Sequence, residues 1–312
     1  MKIWKEYNIM KIWQIAIAIF SIIAIILLSV FSSFSYPYVE KVSADWVVDD
    51  NINIRIKAVV ENPNFFSIKI ATLICKVFLN DIEIAEGLDK NIVLQRGENN
   101  LSIDLFLDTN KIQKWWTKHI KNGERSDVIV EYMAMANFFF FNKTSKTRKL
   151  YSTITTDFTQ KLSFNKTKAI NVSLNGIETT LLFVNKFESK WQYVDENITI
   201  INSSIQLYNP NGEEIGIENF TYNVFLNGIK LGGGWLADNI TLAPYATVNT
   251  YCYMRIQNEE IPDWFESHLR SGETTLYEIR SYAKLLYGDS VYFIQPIEIS
   301  GNFSTNFLEK VL

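Results

Sequence analysis

Two histidines, His119 and His268, and two cysteines, Cys75 and Cys252, are the residues of this 312-residue chain best suited to metal or nucleophilic chemistry. Each histidine lies in a stretch with helical spacing. Ile112, Trp115, Trp116, His119 and Ile120 precede Gly123; Ile261, Trp264, Phe265, His268 and Leu269 precede Gly272. A metal site needs several His, Cys or carboxylate groups converging on one point. Neither helix places such a partner three or four residues from its histidine, and Glu266 precedes His268 by two, on another face. Both histidines are therefore expected to pack or to hold an interface. Cys75 shares an apolar strand phase with Leu73 and Val77, and Cys252 sits in phase with Thr250 and Met254, so two buried free thiols are expected rather than a bridge. Gly232-Gly233-Gly234 lacks the following Lys-Ser/Thr of a phosphate cradle and reads as a loop or bulge. The acidic pairs Asp49-Asp50 and Asp195-Glu196 read as solvated strand-entry turns, with a weak Ca²⁺ site as the alternative. No catalytic, cofactor or metal residues are assigned, and the chain reads as a non-enzyme.

The remaining chemistry is apolar. Phe138, Phe139, Phe140 and Phe141 run consecutively into a basic turn with Lys143, Lys146 and Arg148. Successive strand residues point to opposite faces, so some of these rings should leave the main core. Together with Trp115 and Trp116 they are the candidates for lipid or membrane contact.

The elements that position these residues occur twice. Asn62-Pro63 and Val77-Phe78-Leu79-Asn80 return as Asn209-Pro210 and Val224-Phe225-Leu226-Asn227 at one common spacing, and the helix with its histidine returns at a slightly larger one. A repeat of this length indicates two copies of one domain. Ile52, Ile54, Ile56 and Ala58 alternate with Asn53, Arg55 and Lys57, the pattern of a half-buried strand. Asn-Pro ends that strand, because proline has no ladder donor and pushes the residue before it toward extended backbone. Ile68 to Leu79 is apolar at almost every position and reads as a strand covered on both sides. Asn80-Asp81 and Asn227-Gly228 supply hairpin turns. Further strands are expected at Asn91 to Leu94 and Leu101 to Leu107, and two long ones, Val128 to Phe141 and Arg148 to Phe158, close the copy. A hairpin with its own Asn175-Gly176 turn joins the copies.

Upstream, residues 12–31 carry no charge. At 1.5 Å per residue a helix of about 20 residues spans about 30 Å, a hydrocarbon core. Lys2, Lys5 and Lys11 precede it and no cation follows until Lys41, so the positive-inside bias places the N-terminus in the cytoplasm and the rest outside. The rival, a cleaved signal peptide ending near Ser33-Phe34-Ser35, needs a shorter apolar core. Asn-x-Ser/Thr sequons at Asn100, Asn142, Asn165, Asn171, Asn197, Asn202, Asn219, Asn239 and Asn302 all follow the apolar stretch and are candidate glycosylation sites. A net charge of −4, with no basic stripe, argues against nucleic acid as a partner.

The alternating strand into Asn62-Pro63 or Asn209-Pro210, the Val-Phe-Leu-Asn hairpin and the late helix, in tandem after an apolar segment, resemble the group-2 late-embryogenesis-abundant domain. This is also called the water-stress and hypersensitive-response domain, and the resemblance runs from Val39 to Phe307, twice. It implies two fibronectin-like antiparallel β-sandwiches, each with one short helix, and it makes the Asn-Pro pairs fold motifs. Members are linked with desiccation and stress, and some single-pass relatives have been proposed to bind or move lipid; many plant members carry one copy. The resulting expectation is a cytoplasmic tail (1–11), a transmembrane helix (12–31), a first sandwich (37–160), a structured connector (161–183) and a second sandwich (184–312). The expected location is a cell membrane, single-pass, with both sandwiches extracellular or lumenal. The expected role is a stress-related surface or envelope protein acting through macromolecular or membrane contacts, with other envelope proteins or lipid as partners; the alternative is a lipid-binding or lipid-transfer module.

Overall fold

Strands dominate because apolar residues recur at every second position through most of the chain, and several runs end at residues with left-handed backbone, Asn80, Asn227 and Gly288 among them. The computed structural model describes residues 21, 35–138, 141–144, 146–174 and 176–305. The tail expected at 1–11 and, Ser21 apart, the membrane helix expected at 12–31 lie outside the described residues. No helix among the described residues is long and apolar enough to cross a membrane.

The first copy comprises β1 (Tyr38–Val48), β2 (Ile52–Asn62), β3 (Ile68–Leu79), β4 (Ile82–Leu94), β5 (Gly97–Leu107), helix α1 (Ile112–Lys121), β6 (Arg125–Phe138), β7 (Phe141–Thr144) and β8 (Arg148–Thr155). The short helix α2 (Phe158–Leu162) follows. The second comprises β9 (Lys168–Leu174), β10 (Ile177–Val194), β11 (Ile198–Tyr208), β12 (Ile215–Leu226), β13 (Ile229–Leu236), β14 (Ile240–Leu242), β15 (Thr247–Gln257), α3 (Ile261–Arg270), β16 (Thr274–Tyr287) and β17 (Ser290–Ser304). Each copy is one curled antiparallel sheet. The strand orders are β1-β2-β5-β4-β3-β6-β7, with β8 also on β6, and β17-β16-β12-β13-β15-β11-β10-β9, with β14 on β12. The fold is all-β with minor α.

Local sequence accounts for the main features. Ile54 and Ile56 of β2 face Leu105 and Ile103 across the ladder and are buried with them, while Arg55 and Lys57 point outward. The hairpin turns have positive φ at both central residues, Asn80 and Asp81 in one copy and Asn227 and Gly228 in the other, as a type I′ turn requires. Gly123 and Gly272, both with positive φ, end α1 and α3.

Strand β3 differs from expectation. Its apolar run is not covered on both sides. Ile68 and Ile70 are buried on one phase and Cys75, Val77 and Leu79 on the other, and the ladder to β6 slips between Ile70 and Thr72. A one-residue slip exchanges the two faces. The strand thereby serves an end cluster with Val60 and Leu94 and then the main core. Strand β12 does the same around Asn219, with Ile215 and Ile217 in an end cluster and Val224 and Leu226 in the main core. The closing strands also differ: β6 begins at Arg125 and stops at Phe138, and β8 stops at Thr155 because Glu124 gathers the next backbone amides into α2. Strands β4 and β5 are longer than the expected segments, and β10 runs unbroken through the connector into the second sheet. Of the two readings of Gly232-Gly233-Gly234, the bulge is what forms: the ladder to β12 slips between Lys230 and Gly232. It lies within β13, where a Cβ on Gly234 would collide with the Tyr222 ring and the Tyr253 carbonyl.

One main core contains residues of both copies, and α1 packs on α3 at its centre. Trp115 lies 5.8 Å from Phe265, and Trp116 lies edge-on to Trp264 at 6.5 Å. A Gly234→Ala substitution is expected to cost roughly 1–3 kcal/mol through overpacking. Denaturant unfolding should show a lower midpoint with an unchanged slope.

Candidate functional site

The polar groups with chemical potential converge where the two copies meet. Helix α1 aims Trp115 and His119, one turn apart, at the first residues of β6. There Ser126 Oγ accepts from Trp115 Nε1 at 2.8 Å and from Asn80 Nδ2 at 3.1 Å, which leaves its own proton for His119 Nδ1 at 2.8 Å. His119 Nε2–H then donates to Thr156 Oγ1 at 2.9 Å, and that hydroxyl donates to Glu124 Oε2 at 2.8 Å. The donor count thus assigns a neutral imidazole with its proton on Nε2.

The second copy repeats the chain with Trp264, Thr275, His268, Thr305 and Glu273. Trp264 Nε1 donates to Thr275 Oγ1 at 3.0 Å, the two His268 contacts are both 2.8 Å, and Thr305 reaches Glu273 Oε2 at 2.8 Å. Each glutamate then crosses to the other copy. Trp191 Nε1 donates to Glu124 Oε1 and Trp46 Nε1 donates to Glu273 Oε1, both at 2.8 Å. Both glutamates have positive φ and directly follow the glycine that ends their helix.

Burial would raise the Glu124 carboxyl, but donors from Phe158, Thr156, Thr159 and Trp191 outweigh it and hold the group below the usual carboxylate range. Burial pushes His119 down to about 4 despite the attraction of Glu124. His268 is also lowered by burial, against Glu273 and the backbone at Thr274. The order serine, histidine, acid looks like a nucleophile relay, but Ser126 is fully buried, its Oγ is engaged by three groups, and the second copy has threonine in its place. What the arrangement performs is orientation of one copy against the other.

The Asn-Pro corners are equally closed. Asn62, fully buried, donates to the carbonyls of Phe66 and Leu94 and accepts from Asn64 N at 3.1 Å. Asn209 donates to Glu213, Leu242 and Ala243 and accepts from Asn211 N at 2.8 Å. Pro63 follows Asn62, the last residue of β2, and Pro210 follows Asn209, which comes directly after β11. A third residue completes each corner, so the motif is Asn-Pro-Asn. Asn64 exchanges hydrogen bonds with the backbone of Ser35, and Asn211 donates to the carbonyls of Thr180 and Leu181.

Trp115 and Trp116, expected near an apolar contact surface, lie instead in the core between copies; Trp116 Nε1 donates to Thr199 Oγ1 at 3.2 Å. Phe138 and Phe141 pair across the β6–β7 turn, while Phe139 and Phe140 lie outside the described residues. Asn137, which precedes the turn, is level with Lys69 and through it with Val93, at the end of the first sheet where Ser35 enters. Of the sequons, Asn100, Asn165, Asn171, Asn197, Asn219, Asn239 and Asn302 are exposed. Asn202 is half-buried in β11 with a buried Oδ1, and the Asn142 side chain lies outside the described residues. Cys75 and Cys252 are free and buried, and burial pushes the Cys75 thiol up to about 11. An open depression of about 530 Å³ beside β2, β4 and β5 is lined by Arg55, Lys57, Asp89, Ser102 and Asp104 with Leu88 and Ile103. No cluster of three metal-ligating side chains occurs among the described residues.

No protein-family model and no curated protein matches the chain. Among solved structures, a protein from Archaeoglobus fulgidus is similar at 20% identity over 39% of this chain and 98% of its own, with a TM-score of 0.34. The solution structure of AT1g01470 from Arabidopsis thaliana is similar at 15% identity over 40% of this chain and 86% of its own, with a TM-score of 0.31. A β-glucuronidase of glycoside hydrolase family 2 aligns at 12% identity over 80% of this chain but only 24% of its own, with a TM-score of 0.22. Scores this low carry no argument about activity.

The histidine network sets a pH dependence. A histidine depressed on folding is protonated more readily in the unfolded chain, so stability is full above about 6.5 and falls toward pH 4. His119 alone should contribute a loss on the order of 3 kcal/mol across that window, at about 1.4 kcal/mol per unit. Unfolding titrations should show this limb, shallower in His119→Gln. Glu124, depressed on folding, should add a further loss as pH drops through the carboxylate range.

Proposed function

We propose that this chain is a non-enzymatic, membrane-anchored protein of the group-2 late-embryogenesis-abundant type, with two extracytoplasmic sandwiches that protect against drying or envelope stress through contacts with macromolecules or the membrane. One observation carries this reading. Both histidines, with their hydroxyl and carboxylate partners, are consumed in joining the two copies and both cysteines are buried, which leaves the surface as the working part. Apolar side chains fill the shared interior, and the depression on the first sheet is lined mainly by charged groups, which favours an interaction module over a lipid carrier. Exposed sequons spread over both copies suit an extracellular or lumenal location.

Disrupting the gene and drying the cells tests the role directly. Survival should fall and be restored by the full chain; unchanged survival overturns the stress reading. The lipid reading draws on the Phe138–Phe141 run and has its own test. Mass spectrometry of the purified full chain should find no stoichiometric lipid; a stoichiometric acyl lipid lost in Phe139→Asp would favour lipid carriage instead.

A further inference from the structure

The two Asn-Pro-Asn corners share one backbone hydrogen-bonding scheme but carry opposite chemistry at the tip. In the second copy the corner continues Gly212-Glu213-Glu214; in the first it continues Phe65-Phe66-Ser67. Phe65 is 62% exposed and stands edge-on to Phe66 at 5.1 Å. Exposed Tyr36 follows Ser35, and exposed Val93 precedes Leu94, whose carbonyl Asn62 holds.

What lies beside each corner also differs. Asn211 binds the carbonyl of Leu181, and the chain just before that point folds as the β9–β10 hairpin, whose Val172, Leu181 and Leu182 cover the end of the second sheet. Asn64 at the matching place binds Ser35, accepting from its N–H at 2.9 Å as well as donating to its carbonyl at 2.7 Å. The chain just before Ser35 is the uncharged apolar stretch 12–31. Extended backbone covers at most about 3.5 Å per residue, so Phe31 and Ser35 are no more than about 14 Å apart. The interfacial layer on each side of a bilayer is about 5–8 Å thick. On the anchored reading Ser35 thus lies in the headgroup layer or no more than about 9 Å beyond it, and the corner bonded to it is near the membrane surface.

We infer that Phe65, flanked by Tyr36 and Val93, is seated in the bilayer interface, and that the Asn64–Ser35 clamp fixes the first sandwich against the membrane instead of leaving it on a flexible stalk. This rests on the membrane-anchored reading proposed above. Aromatic side chains are favoured at that depth, where an apolar body meets polar headgroups.

The test uses the full chain in vesicles of phosphatidylcholine with one part in about five of phosphatidylglycerol, the anionic share serving to mimic a natural surface charge. A nitroxide is placed by Phe65→Cys and, as a control on the exposed side of the second corner, by Tyr245→Cys; the native thiols are buried. The ratio of oxygen to nickel-chelate collision rates should be several-fold higher at 65 than at 245. Equal ratios, in protein that stays with the vesicles after a carbonate wash, overturn the inference and leave the anchor standing. Exclusion of both reagents at 65 also overturns it, in favour of a protein partner or a second copy. Release of the chain by carbonate overturns the anchored reading and this inference together. Circular dichroism matching the parent shows that each variant is folded.

Discussion

The carboxylate of Glu124, with Glu273 in the other copy, is the interaction on which the rest of the structure depends. Glu124 accepts from Thr156, Thr159, two backbone amides and an indole of the other copy. A charged group this enclosed is tolerated only when donors replace the lost water. Here the donors come from two separate chain segments, 156–159 and Trp191 of β10, so satisfying the charge also closes the first sheet, starts α2 and brings in β10. Glu273 performs the equivalent joining of Trp46 and Thr305. Removing either carboxylate would strand several buried donors at once, each at about 1–3 kcal/mol.

The duplication explains why the histidines are present. A neutral imidazole that accepts at Nδ1 and donates at Nε2 passes hydrogen-bond direction from the helix indole to the carboxylate. It works only while it stays neutral. The same logic accounts for Ser126 in one copy and Thr275 in the other, since each supplies one hydroxyl that accepts and donates. A catalytic serine would not survive that exchange so simply, and neither hydroxyl reaches solvent.

Sequence patterns revealed the local rules well. Period-two alternation gave β2, paired positive-φ residues gave the hairpins, and the Trp-Trp-x-x-His spacing gave α1 with its glycine stop. The apolar run of β3 misled, because two clusters on opposite phases produce the same composition as one strand covered twice. The run hides its bulge. Gly232-Gly233-Gly234 left loop and bulge open: glycine marks a bulge with close backbone approach as readily as a loop, and only the partner strand decides which. The partners of Glu124 were out of reach altogether. Trp46 and Trp191 occupy equivalent strands, β1 and β10, but which glutamate each meets depends on how the two sheets pack.

That packing is isologous in kind: the same patch of each copy meets the other, with Trp46 to Glu273 mirrored by Trp191 to Glu124 and α1 against α3. Such an interface holds the copies to similar structural residues while leaving their outer ends free to diverge. Divergence is what the ends display. One corner is acidic and sits beside a hairpin cover; the other is aromatic and bonded to the chain leading from the apolar stretch. Because both copies share a core, any surface that orients the first copy orients the second as well. A contact at one corner, such as the one proposed, would thus act on the whole described body, whereas the duplicated histidines at the centre act only between the copies.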